Sequence, residues 1–181
     1  MKIYVLHASM NGTTKLLGEA VAEGARQVEG AEVLFLSVED VDVSTLKDAD
    51  AIIWGSPGIF ANVSPKMSEF LYKLGQVWFN GELRGKIGGV YATISNRHWG
   101  IENILRNLQL PMQALGMQII SNQVKPEHFG IASPYGASAI CLMTSVGATK
   151  KPTEEELDNA RHYGKQVSEA VARLSKEMIS K

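Results

Sequence analysis

The feature that most constrains this fold is an alternation of continuous apolar runs with segments of helical periodicity. The run KIYVLHA (2–8) is apolar almost throughout, which is typical of a strand that is covered on both faces. From Thr13 to Val28 the apolar residues recur at helical spacing, and Gly30 suits the end of that helix. Strands that alternate with helices in this way predict an α/β fold with a parallel sheet and helices on both faces.

The same criteria predict four more strands and three more helices. The strands span residues 31–38, 48–57, 86–94 and 117–124. The helices span residues 64–74, 100–116 and 152–178. Ser64 is the predicted N-cap of the first of these helices, and Pro111 predicts a bend or break in the second. Thr153 and Glu156 have the spacing of a capping box at the start of the third.

Composition and charge exclude several classes of protein. The 181 residues carry a formal net charge of -1, which gives no reason to expect a nucleic-acid partner or a membrane surface. The one cysteine, Cys141, cannot form an intrachain disulfide and suits a reducing compartment. The apolar run at the N-terminus is too short for a signal peptide or a membrane span. We therefore expect a cytoplasmic protein without membrane insertion, folded as one domain over residues 1–181.

The loop after the first strand, SMNGTT (9–14), is a candidate phosphate site. Ligands of open parallel sheets bind beyond the carboxyl ends of the strands, where the strand order switches. The loop offers small polar groups and the free N–H groups of a helix start, which favour an anion. An ordinary N-capped helix start is the alternative interpretation. The candidate ligand residues are Ser9, Met10, Asn11, Gly12, Thr13 and Thr14.

Known nucleotide fingerprints are absent from this loop. A G-x-x-x-x-G-K-[ST] motif does not follow the first strand, which disfavours a nucleoside triphosphatase. A G-x-G-x-x-G motif does not follow it either, which disfavours a dinucleotide-binding Rossmann site. The phosphate would therefore be held by neutral donors, which suits a monoester that stays bound.

Two further loops are predicted at the same edge of a sheet with strand order 2-1-3-4-5. The loop GSPGIFANVSP (55–65) follows the third strand, and TISNRHWG (93–100) follows the fourth. One polar loop and two loops with bends and aromatic residues suit a flat ring with a phosphate tail, which describes flavin mononucleotide (FMN). The candidate ligand residues in these loops are Pro57, Gly58, Ile59, Phe60, Thr93, Ile94, Ser95, Asn96, Arg97 and His98.

Other kinds of active site are not indicated. The chain has no Ser-His-Asp order with a nucleophile elbow and no Cys/His/Asp/Glu cluster with metal-ligand spacing, so we predict no catalytic side chain and no metal ligand. Cys141 lies in an apolar stretch and is interpreted as a small buried hydrophobic residue. His98 and Trp99 suit either a ligand contact or a subunit contact. The redox chemistry is expected to belong to the cofactor.

Five motifs resemble the WrbA family of flavodoxin-like NAD(P)H:quinone oxidoreductases, in order and over nearly the whole chain. They are SMNGTT, DADAIIWGSPGIFANVSPKMSEFL, GQVWFNGELRGKIGGVY, SPYGAS and PTEEELDNARHYG. The resemblance implies a flavodoxin-like fold, FMN, and NADH or NADPH as co-substrate. It implies a ping-pong mechanism that passes two electrons to a quinone. It also implies substrate-facing roles for Trp78 and Asn11.

The chain departs from the family pattern near the proposed flavin. The segment after the second strand, EDVDVSTLK (39–47), is short. A Thr-Arg pair in the second loop is replaced by Gly58 and Ile59, so a hydroxyl and a cation are missing. The third loop is bulkier than the family's Gly/Thr run. Arg97 or His98 is a candidate for replacing the missing positive charge.

An oligomer is also expected. Trp78, Phe79, Trp99 and the irregular segment 122–151 offer more apolar surface than the loops of a monomer should expose. The family resemblance implies a tetramer, and a dimer is the other possibility. We therefore expect a homo-oligomer.

Three other functions stay open at this point. They are an electron-carrying flavodoxin, a flavin reductase that releases reduced FMN, and a binding module without flavin. Short-chain flavodoxins are usually strongly acidic, so the net charge of -1 disfavours the carrier. A visible spectrum with and without added FMN tests the binding module, and quinone-dependent NAD(P)H oxidation separates an enzyme from a carrier.

Overall fold

A parallel sheet carries the fold in this computed structural model, which describes residues 1–144, 147–148 and 150–179. The strands are β1 (Lys2–His7), β2 (Glu32–Ser37), β3 (Ala51–Ile59), β4 (Asn62–Val63), β5 (Ile87–Ile94), β6 (Gln118–Ile119), β7 (Ala137–Ile140), β8 (Met143–Thr144) and β9 (Gly147–Ala148). The α-helices are α1 (Thr13–Arg26), α2 (Pro65–Lys73), α3 (Gly75–Phe79), α4 (Ile101–Ala114) and α5 (Glu154–Ile179).

The main sheet has seven strands, so the predicted five-stranded sheet is wrong in its strand count. The strands follow the order β2-β1-β3-β5-β6, and both β4 and β7 lie off this path. The predicted order 2-1-3-4-5 therefore holds for the five segments that were recognised as strands. The short β4 pairs antiparallel with the end of β3, and β8 and β9 form a separate hairpin.

The fifth position in the sheet is shared by two short strands. β6 pairs with Ile87 and Gly88 at the start of β5, and β7 pairs with the stretch from Tyr91 to Ile94 at its end. The predicted strand over residues 117–124 is therefore wrong beyond Ile119. The chain leaves the sheet because the buried Asn122 side chain donates hydrogen bonds to the Ser133 carbonyl and to the Asn159 side chain (3.0 and 3.1 Å).

Three local predictions about helices can be compared with the structure. Ser64 is the N-cap of α2, and its hydroxyl accepts a hydrogen bond from the Met67 N–H. Thr153 and Glu156 form the predicted capping box through reciprocal side-chain to backbone bonds. Pro111 does not break α4, because it lies in the last turn and removes only one helical hydrogen bond there.

Each face of the sheet is covered by a different pair of helices. On one face, α2 and α4 bury Trp54, whose indole N–H donates to the Leu108 carbonyl (3.0 Å). On the other face, α1 and α5 pack over Ile3, Val5 and Ile53. No helix within the described ranges combines the length and the apolar character needed to cross a membrane.

The carboxyl ends of β1, β3 and β5 meet at one edge of the sheet. The register places His7 of β1 beside Gly55 of β3, and Pro57 of β3 beside Thr93 of β5. Because the three strands are parallel, the loops that follow them lie next to one another. This is the edge at which the phosphate and ring ligands are predicted.

Helices α1 and α5 approach each other closely because both carry glycine at the contact. A Cβ added to Gly24 would lie 1.8 Å from the Arg161 carbonyl oxygen, and one added to Gly164 would lie 1.9 Å from the Val21 carbonyl oxygen. Both neighbours are backbone atoms, so side-chain movement cannot relieve the overlap. The two glycines therefore fix the distance between the helices.

We expect Gly164→Ala to destabilise the protein by about 1–3 kcal/mol, because the added methyl overpacks the contact between α1 and α5. Helix propensity alone predicts the opposite sign, a gain of about 1 kcal/mol. Gly75→Ala in α3 is the matched control, since a Cβ there has no neighbour within 4 Å. Urea unfolding measures both. A Gly164→Ala variant as stable as the Gly75→Ala variant would contradict the close contact.

Candidate functional site

Residues of the three predicted loops line one cavity of about 280 Å³ at the carboxyl edge of the sheet. The structure therefore brings ten of the predicted ligand residues together in the lining of this cavity. The lining residues are Met10, Asn11, Thr13, Thr14, Pro57, Gly58, Ile59, Thr93, Ile94, Ser95 and Cys141. We call this space the first cavity.

The first helix begins without a side-chain cap. Its N-cap is Gly12, which has φ +83° and no side chain to accept from the first-turn N–H groups. Its own N–H donates to the Ser9 hydroxyl (3.1 Å), which holds the loop closed. The N-cap is thus Gly12 rather than the Ser or Thr of the alternative interpretation, and without a side-chain cap the N–H groups of the first turn can bind an anion.

Two buried threonines join the first loop to the third. The hydroxyls of Thr14 and Thr93 lie 2.7 Å apart, and both residues are almost fully buried. Together with Thr13 they give the first cavity a floor of neutral donors and acceptors. This donor set suits the oxygens of a phosphate monoester.

Cys141 also lines the first cavity, at the position directly after β7. Burial raises the pKa of its thiol to about 11, and the nearby Glu156 carboxylate acts in the same direction. The thiol is therefore protonated at neutral pH and is not a nucleophile, which agrees with its interpretation as a small hydrophobic residue. Sequence reasoning missed its place at the site because β7 was not recognised as a strand.

The second loop is a tight hairpin between β3 and β4. Phe60 and Ala61 occupy its two central positions with φ of +48° and +60°, and Ile59 pairs with Asn62 across it. Turns of this kind normally use Asn and Gly, so two residues with a Cβ store backbone strain here. The hairpin leaves the Phe60 side chain fully exposed to solvent.

A second cavity of about 430 Å³ lies between this hairpin and the third loop. It adjoins the first cavity, since four residues line both of them. Its walls include the aromatic rings of Phe60 and Trp99. The shared residues are Gly58, Ile59, Ile94 and Ser95.

Gly58 packs closely against α4 behind the second loop. A Cβ at this position would lie 2.1 Å from the terminal carbon of Ile104 in α4. The hydroxyl that the family pattern has at this place therefore cannot be added without moving Ile104. This explains one departure from the family pattern in physical terms.

Three predicted ligands of the third loop point elsewhere. Asn96 caps a short 3-10 helix (Arg97–Trp99) by accepting from the His98 N–H (2.9 Å). The Arg97 guanidinium donates to the Gly130 carbonyl, and both Arg97 and His98 line a separate cavity. The structure therefore does not bring Arg97 or His98 into the first or second cavity, and their role as replacement cations stays a prediction.

Trp78 lies on the opposite edge of the sheet from these cavities. It belongs to α3, which contacts the 3-10 helix Val43–Asp48 before the amino end of β3. Its ring borders an apolar groove of about 280 Å³ between α2 and the end of α4. Trp78 therefore cannot face a substrate bound in the cavities of its own chain. Its substrate-facing role stays a prediction, which requires the cavity of a second copy.

The two adjoining cavities fit the parts of FMN. The first offers uncapped N–H groups and buried hydroxyls to a phosphate, and the second offers two aromatic side chains and backbone to a flat ring. Within the described part of the chain, no group of three or more His, Cys, Asp and Glu side chains is placed to hold a metal ion.

Comparisons with known proteins indicate the family of the chain. The model of the NADPH-dependent FMN reductase family matches residues 43–129. A NAD(P)H dehydrogenase (quinone) of Geotalea uraniireducens is 32% identical, with 97% of this chain and 100% of the relative covered. A protein of the same description from Syntrophobacter fumaroxidans is 30% identical, with the same coverage.

Solved structures support the fold. A flavodoxin, WrbA-like protein from Agrobacterium tumefaciens has a TM-score of 0.72 at 22% identity, with 95% of this chain and 97% of that chain covered. A flavodoxin from the domain Archaea has a TM-score of 0.71 at 24% identity, with 95% and 99% covered. Since relatives at 30% identity or more cover nearly the whole chain, the chain belongs to the family of FMN-dependent NAD(P)H dehydrogenases (quinone) and has their flavodoxin-like fold.

Proposed function

We propose that this protein passes two electrons from NAD(P)H to a quinone-like acceptor by a ping-pong mechanism. The observation that carries the proposal is the uncapped start of α1 at Gly12, set beside a second cavity with aromatic walls. The N–H groups of an uncapped helix start bind water or an anion, and the helix dipole favours the anion. A flat ring with a phosphate tail uses both features at once.

The residues of the phosphate loop would hold the cofactor. The first-turn N–H groups after Gly12 and the hydroxyls of Ser9 and Thr13 would bind the phosphate oxygens, with Thr14 held in place by Thr93. When bound, FMN supplies the chemistry by accepting a hydride from the nicotinamide and giving two electrons to the acceptor. The chain's contribution is binding, orientation and the exclusion of side reactions.

The open side of the second cavity supports the ping-pong proposal. Phe60 and Trp99 are both largely exposed and border the same space, so flat substrates reach it from solvent. Nicotinamide and quinone rings are both flat, and one opening serves them in turn. A protein nucleophile is not needed, in keeping with the protonated thiol of Cys141.

A flavin reductase that releases reduced FMN is the second candidate. The family model that matches residues 43–129 describes such reductases. Turnover of excess free FMN by NAD(P)H, without a quinone, distinguishes this activity from the first proposal.

We also propose that the protein is a homo-oligomer. Four large apolar side chains are exposed near the apolar groove at the amino edge of the sheet, namely Tyr72, Trp78, Phe79 and Leu110. The rims of the two site cavities expose Met10, Phe60 and Trp99 in addition. Contiguous exposed apolar surface of this kind is typical of protein–protein contacts.

Gly12→Val should weaken FMN binding by about tenfold or more. A β-branched residue is strained at φ +83°, and relief of that strain moves the first-turn N–H groups of α1. Gly30→Val is the matched control, because Gly30 has φ +78° and open space at the far end of α1. Flavin fluorescence titration measures binding, and thermal unfolding checks that both variants lose similar stability. Equal FMN affinity in both variants would contradict the proposal that residues 9–14 bind the FMN phosphate.

Trp78→Ala should reduce the mass in solution and raise KM for quinones together. The ring lies too far from its own cavities to act within one chain, so an effect on KM requires contact with a second copy. Light scattering at micromolar concentration measures the mass, and steady-state kinetics measures KM. Glu29→Ala is the control, since Glu29 is exposed and lies outside both the groove and the segment 122–151. An unchanged mass and an unchanged KM would show that Trp78 contributes neither to a subunit contact nor to quinone binding.

A further inference from the structure

A third cavity adjoins the phosphate loop on the side of α1. It has a volume of about 320 Å³ and is lined by Asn11, Gly12, Thr13, Lys15, Leu16, Glu19 and Lys151. Asn11 and Thr13 line the first cavity as well, so the loop forms a common wall between the two spaces. The binding of FMN and of the acceptor, as proposed above, does not use this third cavity.

The charges around the third cavity are not balanced. Lys15 and Lys151 are exposed, and neither has a carboxylate oxygen within 4 Å among the residues that the structure describes. Glu19 is the one carboxylate in the lining, so two ammonium groups face a single acid.

Two acids of α1 and α5 are engaged elsewhere. Glu23 of α1 and Glu154 of α5 both pair with Arg161. They are therefore not available to neutralise the two lysines. The third cavity keeps an excess of positive charge beside a loop that already offers backbone donors.

We propose that the third cavity is a second phosphate subsite, which binds a phosphate group of a nucleotide beyond the site of the FMN phosphate. This inference rests on the proposed function, since it concerns the nucleotides that the enzyme uses. Ammonium groups donate charge-assisted hydrogen bonds to phosphate oxygens, and two of them suit a doubly charged group. The 2′-phosphate of NADPH is such a doubly charged group, and the second phosphate of FAD offers the same oxygen acceptors with one negative charge.

The test compares a Lys15→Gln/Lys151→Gln double variant with the parent chain. Lys47→Gln is the matched control, because Lys47 is an exposed lysine on the 3-10 helix at the opposite edge of the sheet. Calorimetry with 2′,5′-ADP measures the subsite without turnover. Kinetics with NADPH and NADH tests the first source of the phosphate, and titration with FAD and FMN tests the second.

We expect the double variant to bind 2′,5′-ADP about tenfold more weakly, as the loss of two exposed charge contacts implies. A matching rise in KM for NADPH, with KM for NADH unchanged, would assign the subsite to the co-substrate. Weaker FAD binding with unchanged FMN binding would assign it to a dinucleotide flavin. Either result supports a second phosphate subsite.

Unchanged binding of 2′,5′-ADP, NADPH and FAD in the double variant would overturn the inference. This failure is distinguishable from failure of the proposed function. If the parent chain binds no FMN and reduces no quinone with NADH, the proposed function fails, whereas calorimetry with 2′,5′-ADP still reports on the lysines. If FMN binding and NADH turnover are normal and the double variant binds 2′,5′-ADP, NADPH and FAD as the parent does, only the second phosphate subsite is rejected.

Discussion

The buried ring of Tyr91 is the interaction on which the geometry of the site depends. Tyr91 belongs to β5, and its hydroxyl reaches across β3 to donate to the Leu6 carbonyl of β1 (2.8 Å). The ring occupies the space above two glycines, since a Cβ on Gly55 or Gly18 would lie 2.1 or 2.3 Å from it. One side chain of β5 thus contacts β1, β3 and α1 directly beneath the phosphate loop. Burial holds the pKa of this phenol well above its usual value, so the donor keeps its proton.

The strained hairpin of the second loop persists because its surroundings fix it from several sides. Ser64 donates its N–H to the Ser56 hydroxyl (2.9 Å), which ties the return of the chain to β3. Gly100 leaves room for Ala61, since a Cβ there would lie 2.7 Å from the Ala61 Cβ. Residues with a Cβ at positive φ cost of order 1–3 kcal/mol each and cluster at ligand sites. The strain therefore places Phe60 at the opening of the second cavity, where the ring of a ligand is proposed.

Elements with a clear period were predictable from the sequence, and elements defined by single contacts were not. The long runs that became β1, β3 and β5 each carry enough apolar residues to reveal a buried strand, so the loops at their ends were placed at the right edge. β4 and β6 have two residues each, which is too few for any period to show. β7 was hidden because its pairing with β5 depends on the 17 residues between Ile119 and Ala137 folding back.

The site itself divides in the same way. The loop after β1 could be placed beside the first cavity because strand, small polar residues and helix follow one another directly in the chain. The direction of Arg97 could not, because it is decided by the Gly130 carbonyl in a different segment. The role of Trp78 rests on the family resemblance alone and stays a prediction. Within one chain the residue borders the apolar groove and neither site cavity.

The arrangement of charge suggests why neutral and cationic groups are kept apart around one loop. The first cavity presents backbone N–H groups and buried hydroxyls, whose contacts are short-ranged and hardly screened by salt. The lysines of the third cavity are exposed, so their attraction acts over about 10 Å at 0.1 M salt and fades as ionic strength rises. A group that must stay bound through many turnovers is best held by the first kind of contact. A group that must arrive and leave in each cycle is better served by the second, because exposed charges speed the approach of an anion and add little to its residence time.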